Sequence, residues 1–200
     1  MHGLTRDPPA HLTRGRIPGI DVGVRDGESF EPFEGCADRF RVADVSGHTV
    51  GHVMYTLPAF GVAFVGDTVF AMGCGRIFEG SANQMHASVA KIAELPPSTL
   101  LFPAHEYTAS NVRFALSVDP GNAALAARGE RVRELRARGE PTVPVLLRDE
   151  LETNPFMRVD DEALRRNAKI PASDSSAEAF RKIRCVPGAA PGGEIENRRC

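Results

Sequence analysis

FRVADVSGHTVGHVMYTLPAFGVAFVGD, residues 40–67, holds three short apolar runs parted by glycine-rich breaks, and the fold is read outward from it. Phe40 to Val45, His52 to Leu57 and Val62 to Val65 are rich in β-branched and apolar residues. Each run is bounded by Gly, Pro or polar residues, so each predicts a strand. Ser46-Gly47-His48-Thr49-Val50-Gly51-His52 brackets two histidines with glycines, which let the backbone turn sharply and come close to a ligand. Gly66-Asp67-Thr68 repeats that arrangement after the third run. Downstream, Ser81-Ala82-Asn83-Gln84 has capping-box spacing ahead of Met85, Val89 and Ile92, which share one helical face before Pro96-Pro97 ends the helix. Thr99 to Phe102 predicts a further strand running into Pro103, and a long helical segment follows His105. Within it Asn122 predicts the cap of a helix through Arg138, with Leu125, Val132 and Leu135 as the buried stripe, Arg and Glu outside, and Gly139 as its stop. Past Asn167 the apolar periodicity fades, and Ala177 to Arg184 predicts one short helix. Strands, helix, strand, helices is the order of an α/β layer structure, and no internal repeat is present.

The rest of the chain narrows the function classes. Two hundred residues with 42% hydrophobic content suffice for a packed domain, and a net charge of −2 gives no electrostatic reason to bind nucleic acid or acidic membranes. Neither partner is expected. Met1 to Arg16 holds no apolar run of signal-peptide length, and no eighteen consecutive apolar residues occur, so a cytoplasmic protein is expected. Cys36, Cys74, Cys185 and Cys200 form no C-x-x-C pair and are read as free thiols without a catalytic role. Residues 1–19 mix Pro, Gly, Arg and His without periodicity and are expected to be irregular or disordered; residues 187–200, rich in Pro and Gly at their start, are expected to form a disordered tail.

Three polar residues stand where strands should end: His48 after Phe40 to Val45, Asp67 after Val62 to Val65, and His105 after Thr99 to Phe102. Strand ends in layered α/β folds present side chains into a shared crevice on a rigid support. Imidazole nitrogen and carboxylate oxygen suit zinc, and a carboxylate has two oxygens with which to bridge two ions. Taken singly, each also has an ordinary reading, as a hydrogen-bonding histidine or a turn aspartate.

Reading on, Gly73-Cys74-Gly75-Arg76-Ile77-Phe78-Glu79-Gly80, His105-Glu106-Tyr107-Thr108, Pro141-Thr142-Val143-Pro144 and Asn154-Pro155-Phe156-Met157-Arg158 follow in order. Together with the G-H-T-x-G-H run these motifs resemble the glyoxalase II family, the hydroxyacylglutathione hydrolases of the metallo-β-lactamase fold, over roughly residues 16–167. The resemblance implies the C-terminal half of an αββα sandwich over residues 20–107 and a helical, glutathione-binding domain over 108–186. It implies a hydrolase with two divalent metal ions, zinc or else iron or manganese, that cleaves S-D-lactoylglutathione to D-lactate and glutathione. By the same resemblance His48 is a ligand of the first ion, Asp67 the bridging carboxylate and catalytic residue, and His105 a ligand of the second, while His52 is structural. Arg76, Phe78 and Tyr107 line the substrate site, Phe78 standing where some relatives have Tyr, and Arg184 is what remains of an R-x-x-K helix that grips glutathione. Arg158 is structural.

One departure is large. The family's T-H-x-H-x-D-H motif, which supplies four of seven metal ligands, has no counterpart here; His2 and His11 lack both its spacing and its Asp. Residues 1–15 and 185–200 carry no resemblance. The expectation is therefore a truncated or frame-disrupted chain that holds one metal ion or none, hydrolyses its thioester poorly, leaves an apolar sheet face uncovered and aggregates, where an intact relative would be a monomer. A catalytically inactive binding remnant and a persulfide dioxygenase of the same fold are the alternatives.

Overall fold

The first two runs form β2 (Phe40–Asp44) and β3 (Val53–Leu57), which pair antiparallel from Arg41 opposite Thr56 to Asp44 opposite Val53 across the two-histidine turn. The computed structural model describes residues 19, 21–31 and 33–188. The expected irregular opening and tail fall almost wholly outside those residues, as do His2 and His11. A short β1 (Ser29–Phe30) flanks β2, and β4 (Val62–Gly66) pairs antiparallel with β3. After Asp67 come a two-stranded hairpin, β5 (Val69–Phe70) and β6 (Gly73–Cys74), and helix α1 (Ala82–Ala93). The crossover returns as β7 (Leu100–Pro103), parallel to β4, and β8 (Val145–Leu146) closes the far edge in the order β1-β2-β3-β4-β7-β8. Among the described residues five further helices follow β7: α2 (Thr108–Val118), α3 (Ala123–Ala137), α4 (Leu147–Thr153), α5 (Glu162–Asn167) and α6 (Ser176–Arg184).

Local signals fix the helix ends. Ser81 Oγ accepts from Gln84 N–H while the Gln84 side chain accepts from Ser81 N–H, the reciprocal box that satisfies two otherwise unpaired donors. Asn122 caps α3 through Leu125 N–H, and Gly139, at φ 72°, ends it. The α3 face differs in one respect from its sequence pattern. Leu125 and Val132 are buried as expected, but Leu135 is only half-buried and Arg128, expected outside, is buried against α4. Its guanidinium meets the buried Glu150 carboxylate, a pairing that helical periodicity cannot reveal. The segment past Asn167 is also better ordered than its faded periodicity suggests: Ala179, Phe180 and Ile183 of α6 are fully buried against the main core.

The sheet has two unlike faces. Met54, Ala63, Val65 and Leu101 are buried in one cluster with Met85, Val89 and Ile92 of α1, and the cluster continues into the helices after β7. Each buried Val, Leu, Ile or Met side chain of this cluster contributes roughly 1.5–3 kcal/mol of hydrophobic stabilisation. The opposite face carries an aromatic ladder, Phe30 to Phe40 at 5.5 Å, Phe40 to Phe64 at 6.0 Å and Phe64 to Phe102 at 5.1 Å between centroids. Phe64 is still 41% exposed, so among the described residues this apolar face is only partly covered. No helix among them is long and apolar enough to cross a membrane.

Candidate functional site

Parallel pairing of β4 with β7 brings Gly66 opposite Pro103, so the residues just beyond, Asp67 and His105, emerge side by side. The turn after β2 delivers His48 from the other side. His105 Nε2 lies 3.4 Å from Asp67 Oδ1 and His48 Nε2 lies 3.9 Å from Asp67 Oδ2, so each carboxylate oxygen faces a different imidazole. Residues 19 and 38 positions from Asp67 thus meet at one carboxylate because adjacent strands end at one rim.

The ring orientations follow from the neighbours. His48 Nδ1 is 2.7 Å from Arg76 O. A carbonyl only accepts, so Nδ1 carries the hydrogen and Nε2 turns its lone pair toward Asp67; a fixed second nitrogen of this kind is what orients metal-ligating histidines. His52 Nε2 accepts from Asp67 N–H at 2.9 Å, which pins the backbone beneath the carboxylate. Burial, together with the nearby His48, holds the His52 pKa below its ordinary value and keeps that acceptor unprotonated. Gly66 sits at φ 55°, and a Cβ there would lie 2.5 Å from His52 Nε2, so glycine is required on both counts. His52 thus braces the Asp67 backbone.

Around the three side chains stand the other candidates. The Phe78 ring lies 4.9 Å from the His48 ring and is 52% exposed, with the Arg76 guanidinium 5.1 Å over its face. Tyr107 packs 5.3 Å from His105 and edge-on to Phe70 at 5.1 Å. Arg184 approaches from α6, but its Nη1 donates to Gly75 O at 2.8 Å and lies 3.3 Å from Cys74 Sγ. That nitrogen holds the loop before Arg76. Burial raises the Cys74 thiol pKa, more than Arg184 lowers it, and a buried protonated thiol is unreactive. Arg158 bonds Asp119 and Asp161, inside the helical part. Sequence reading missed Glu150, Asn111 and the role of Asn154, whose side chains grip the β5–β6 hairpin. The Asn154-Pro155 motif was the only local signal for them.

The donors match a metal centre in kind and fall short in number. Two ligands of a tetrahedral zinc at bond lengths of about 2.0–2.1 Å are roughly 3.4 Å apart, the separation found between His105 and Asp67. A catalytic zinc takes about three protein ligands, whereas two ions here would each have one imidazole and one carboxylate oxygen. Among the described residues no group of three or more His, Cys, Asp or Glu is arranged to hold an ion. What the described residues do show is His48 and His105 facing opposite oxygens of the Asp67 carboxylate.

The profile described as Metallo-beta-lactamase superfamily matches residues 4–105, and that described as Hydroxyacylglutathione hydrolase C-terminus matches residues 106–186. The first match thus begins inside the opening segment that carried no resemblance on reading. A hydroxyacylglutathione hydrolase of Methylococcus capsulatus is 48% identical over 171 residues, 86% of this chain and 65% of that protein. One of Erythrobacter litoralis is 53% identical over 74% of this chain and 58% of its own length, and one of Roseobacter denitrificans 47% identical over 92% and 68%. The chain spans about three fifths to two thirds of the length of these relatives.

Proposed function

Because this chain belongs to the hydroxyacylglutathione hydrolase family of the metallo-β-lactamase superfamily, we propose that it carries one wall of a thioester-hydrolysing centre for S-D-lactoylglutathione. The carrying observation is the Asp67 carboxylate, with one oxygen toward His48 and the other toward His105. The family binds divalent metal, and these three residues are the ones proposed to contribute to it. By themselves they do not complete a two-ion centre, so the chain as written holds one ion at most and turns over its thioester slowly or not at all. Residues 20–107 form the part that bears the centre and residues 108–186 the helical part that faces the glutathione moiety. Arg76 and Tyr107 flank the centre and supply a guanidinium for a substrate carboxylate and a phenol for hydrogen bonding, while Phe78 offers an apolar face. Arg184 acts on the same site through Gly75. A cytoplasmic location belongs to the same reading, and the thiols of Cys36 and Cys74 suit a reducing compartment. A persulfide dioxygenase is disfavoured, since residues 106–186 match the hydrolase C-terminal profile.

The test is to measure bound metal per chain and follow loss of S-D-lactoylglutathione with added zinc, iron or manganese. At most one ion per chain and little turnover are expected, with turnover rising when a segment carrying T-H-x-H-x-D-H is supplied. Robust metal-dependent turnover abolished by Asp67→Ala would show that three donors suffice; failure to bind any ion or regain turnover with the added segment would sink the assignment.

A further inference from the structure

The hairpin between Asp67 and Arg76 is held at its tip by side chains. Asn111 Nδ2, on α2, donates to Ala71 O at 3.0 Å. Asn154 Nδ2, just past α4, donates to Gly73 O at 3.0 Å and lies 3.3 Å from Phe70 O, while its Oδ1 accepts from Phe156 N–H. Glu150 Oε2 accepts from Met72 N–H and from Asn154 Nδ2, each at 2.8 Å. Its other oxygen accepts from Arg128, whose Nη1 also reaches Asp149 O at 3.1 Å and the Thr153 hydroxyl. On the downstream side Arg184 holds Gly75 O. Every one of these gripping residues lies within 106–186, and every group they grip lies within 70–75.

Glu150 and Asn154 are both 0% exposed, and a buried carboxylate is costly unless paired. An apolar pair of similar volume would glue α4 to the core without that cost. Here instead the charge is neutralised by Arg128 on one oxygen and spent on a single backbone amide with the other. That amide belongs to Met72, which sits at φ 53°, a conformation a non-glycine residue keeps only where its surroundings impose it. What the hairpin sets is local to the site. Gly75 N–H bonds Thr68 O at 3.2 Å, the Gly75 backbone lies against Asp67 O, and the next carbonyl, Arg76 O, fixes His48 Nδ1.

We infer that Glu150 and Asn154, with Asn111, are positioning residues: a latch from the helical part that places the β5–β6 hairpin and thereby fixes the His48 tautomer and the seat of Asp67. The inference rests on reading His48 and Asp67 as the reacting wall, but its readout does not require metal or turnover. The latch makes the helical part a determinant of the geometry of the centre as well as a binding surface.

The test is nitrogen-15 NMR of the histidine-labelled chain at a pH well above the histidine range, together with hydrogen exchange of the Met72 amide. The parent should show His48 protonated at Nδ1. Asn154→Ala and Asn111→Ala should move His48 toward a mixture with the Nε2-protonated form and speed Met72 exchange at least about tenfold, as expected when the hairpin loses the side-chain donors that hold its carbonyls and opens locally more often. Glu150→Gln should do the same, since it leaves Arg128 without its charge partner; where it or Asn154→Ala does not fold, Asn111→Ala, which leaves the Arg128–Glu150 pair intact, carries the test. Ile170→Ala, which truncates a side chain buried in the main core and bears no group of the latch, should lower Tm and leave both readouts unchanged. An unchanged His48 tautomer in the folded latch variants, or an equal change in Ile170→Ala, would overturn the inference. Since the metal-free chain reports the tautomer, the latch and the hydrolase reading fail separately.

Discussion

Gly75→Ala isolates the contact between the hairpin and the carboxylate. A Cβ at this position would lie 1.8 Å from Asp67 O, 3.0 Å from Asp67 C and 3.4 Å from His48 Nδ1. Real Cβ contacts essentially never fall below 3.0 Å, so more than an ångström of movement is needed, and the obstructing atoms are backbone. The Gly75 φ is not in the left-handed region, so the penalty is steric. Overpacking of this kind costs about 1–3 kcal/mol, and losing one of the hydrogen bonds that hold Gly75, to Thr68 O or from Arg184, adds about 1 kcal/mol. For a chain of this size each kcal/mol lowers Tm by about 2–4 °C, so a fall of roughly 4–16 °C is expected by calorimetry or circular dichroism. Gly121→Ala is the control, because nothing lies within 4 Å of a Cβ there and its φ is ordinary. It should be neutral or slightly stabilising. Equal melting of Gly75→Ala and Gly121→Ala would refute the close approach of Gly75 to Asp67 and, with it, the hairpin placement on which the site rests.

Two further outcomes follow from burial. Phe180→Ala removes a fully buried ring that meets Phe156 at 5.4 Å and His86 at 5.6 Å, and should cost about 3–5 kcal/mol in urea unfolding; a loss under about 1 kcal/mol would mean that α6 is not part of the core. His52 and His86 both have pKa values depressed chiefly by burial, so the unfolded chain binds protons that the folded chain refuses. Their contribution is complete above the unfolded value of about 6.5 and is lost as the pH falls through the folded values. The urea midpoint should therefore drop between pH 8 and pH 5.5, and His86→Gln should flatten that drop; a midpoint that rises on acidification would contradict the burial assigned to both rings.

Local chemistry by itself determined a good part of this protein. The box at Ser81 and Gln84, the cap at Asn122 and the stop at Gly139 act over three or four residues, and the strand runs before His48, Asp67 and His105 are short apolar stretches bounded by Gly, Pro or polar residues, so both kinds of signal are written in contiguous sequence. Those strand ends carried the three donors because their spacing from the apolar runs is local too. Other features depend on which segments the core brings together. Arg128 reads as one of several solvated arginines on α3 until Glu150 arrives across the α3–α4 contact, and Phe180 and Ile183 are too few to set a period although both are fully buried. The grip of Glu150, Asn154 and Asn111 on residues 70–73 spans 40 to 84 positions. Hydrogen bonds to backbone groups leave no side-chain pattern at the accepting end, so only the tertiary structure could show that the helices after His105 hold the hairpin before Arg76.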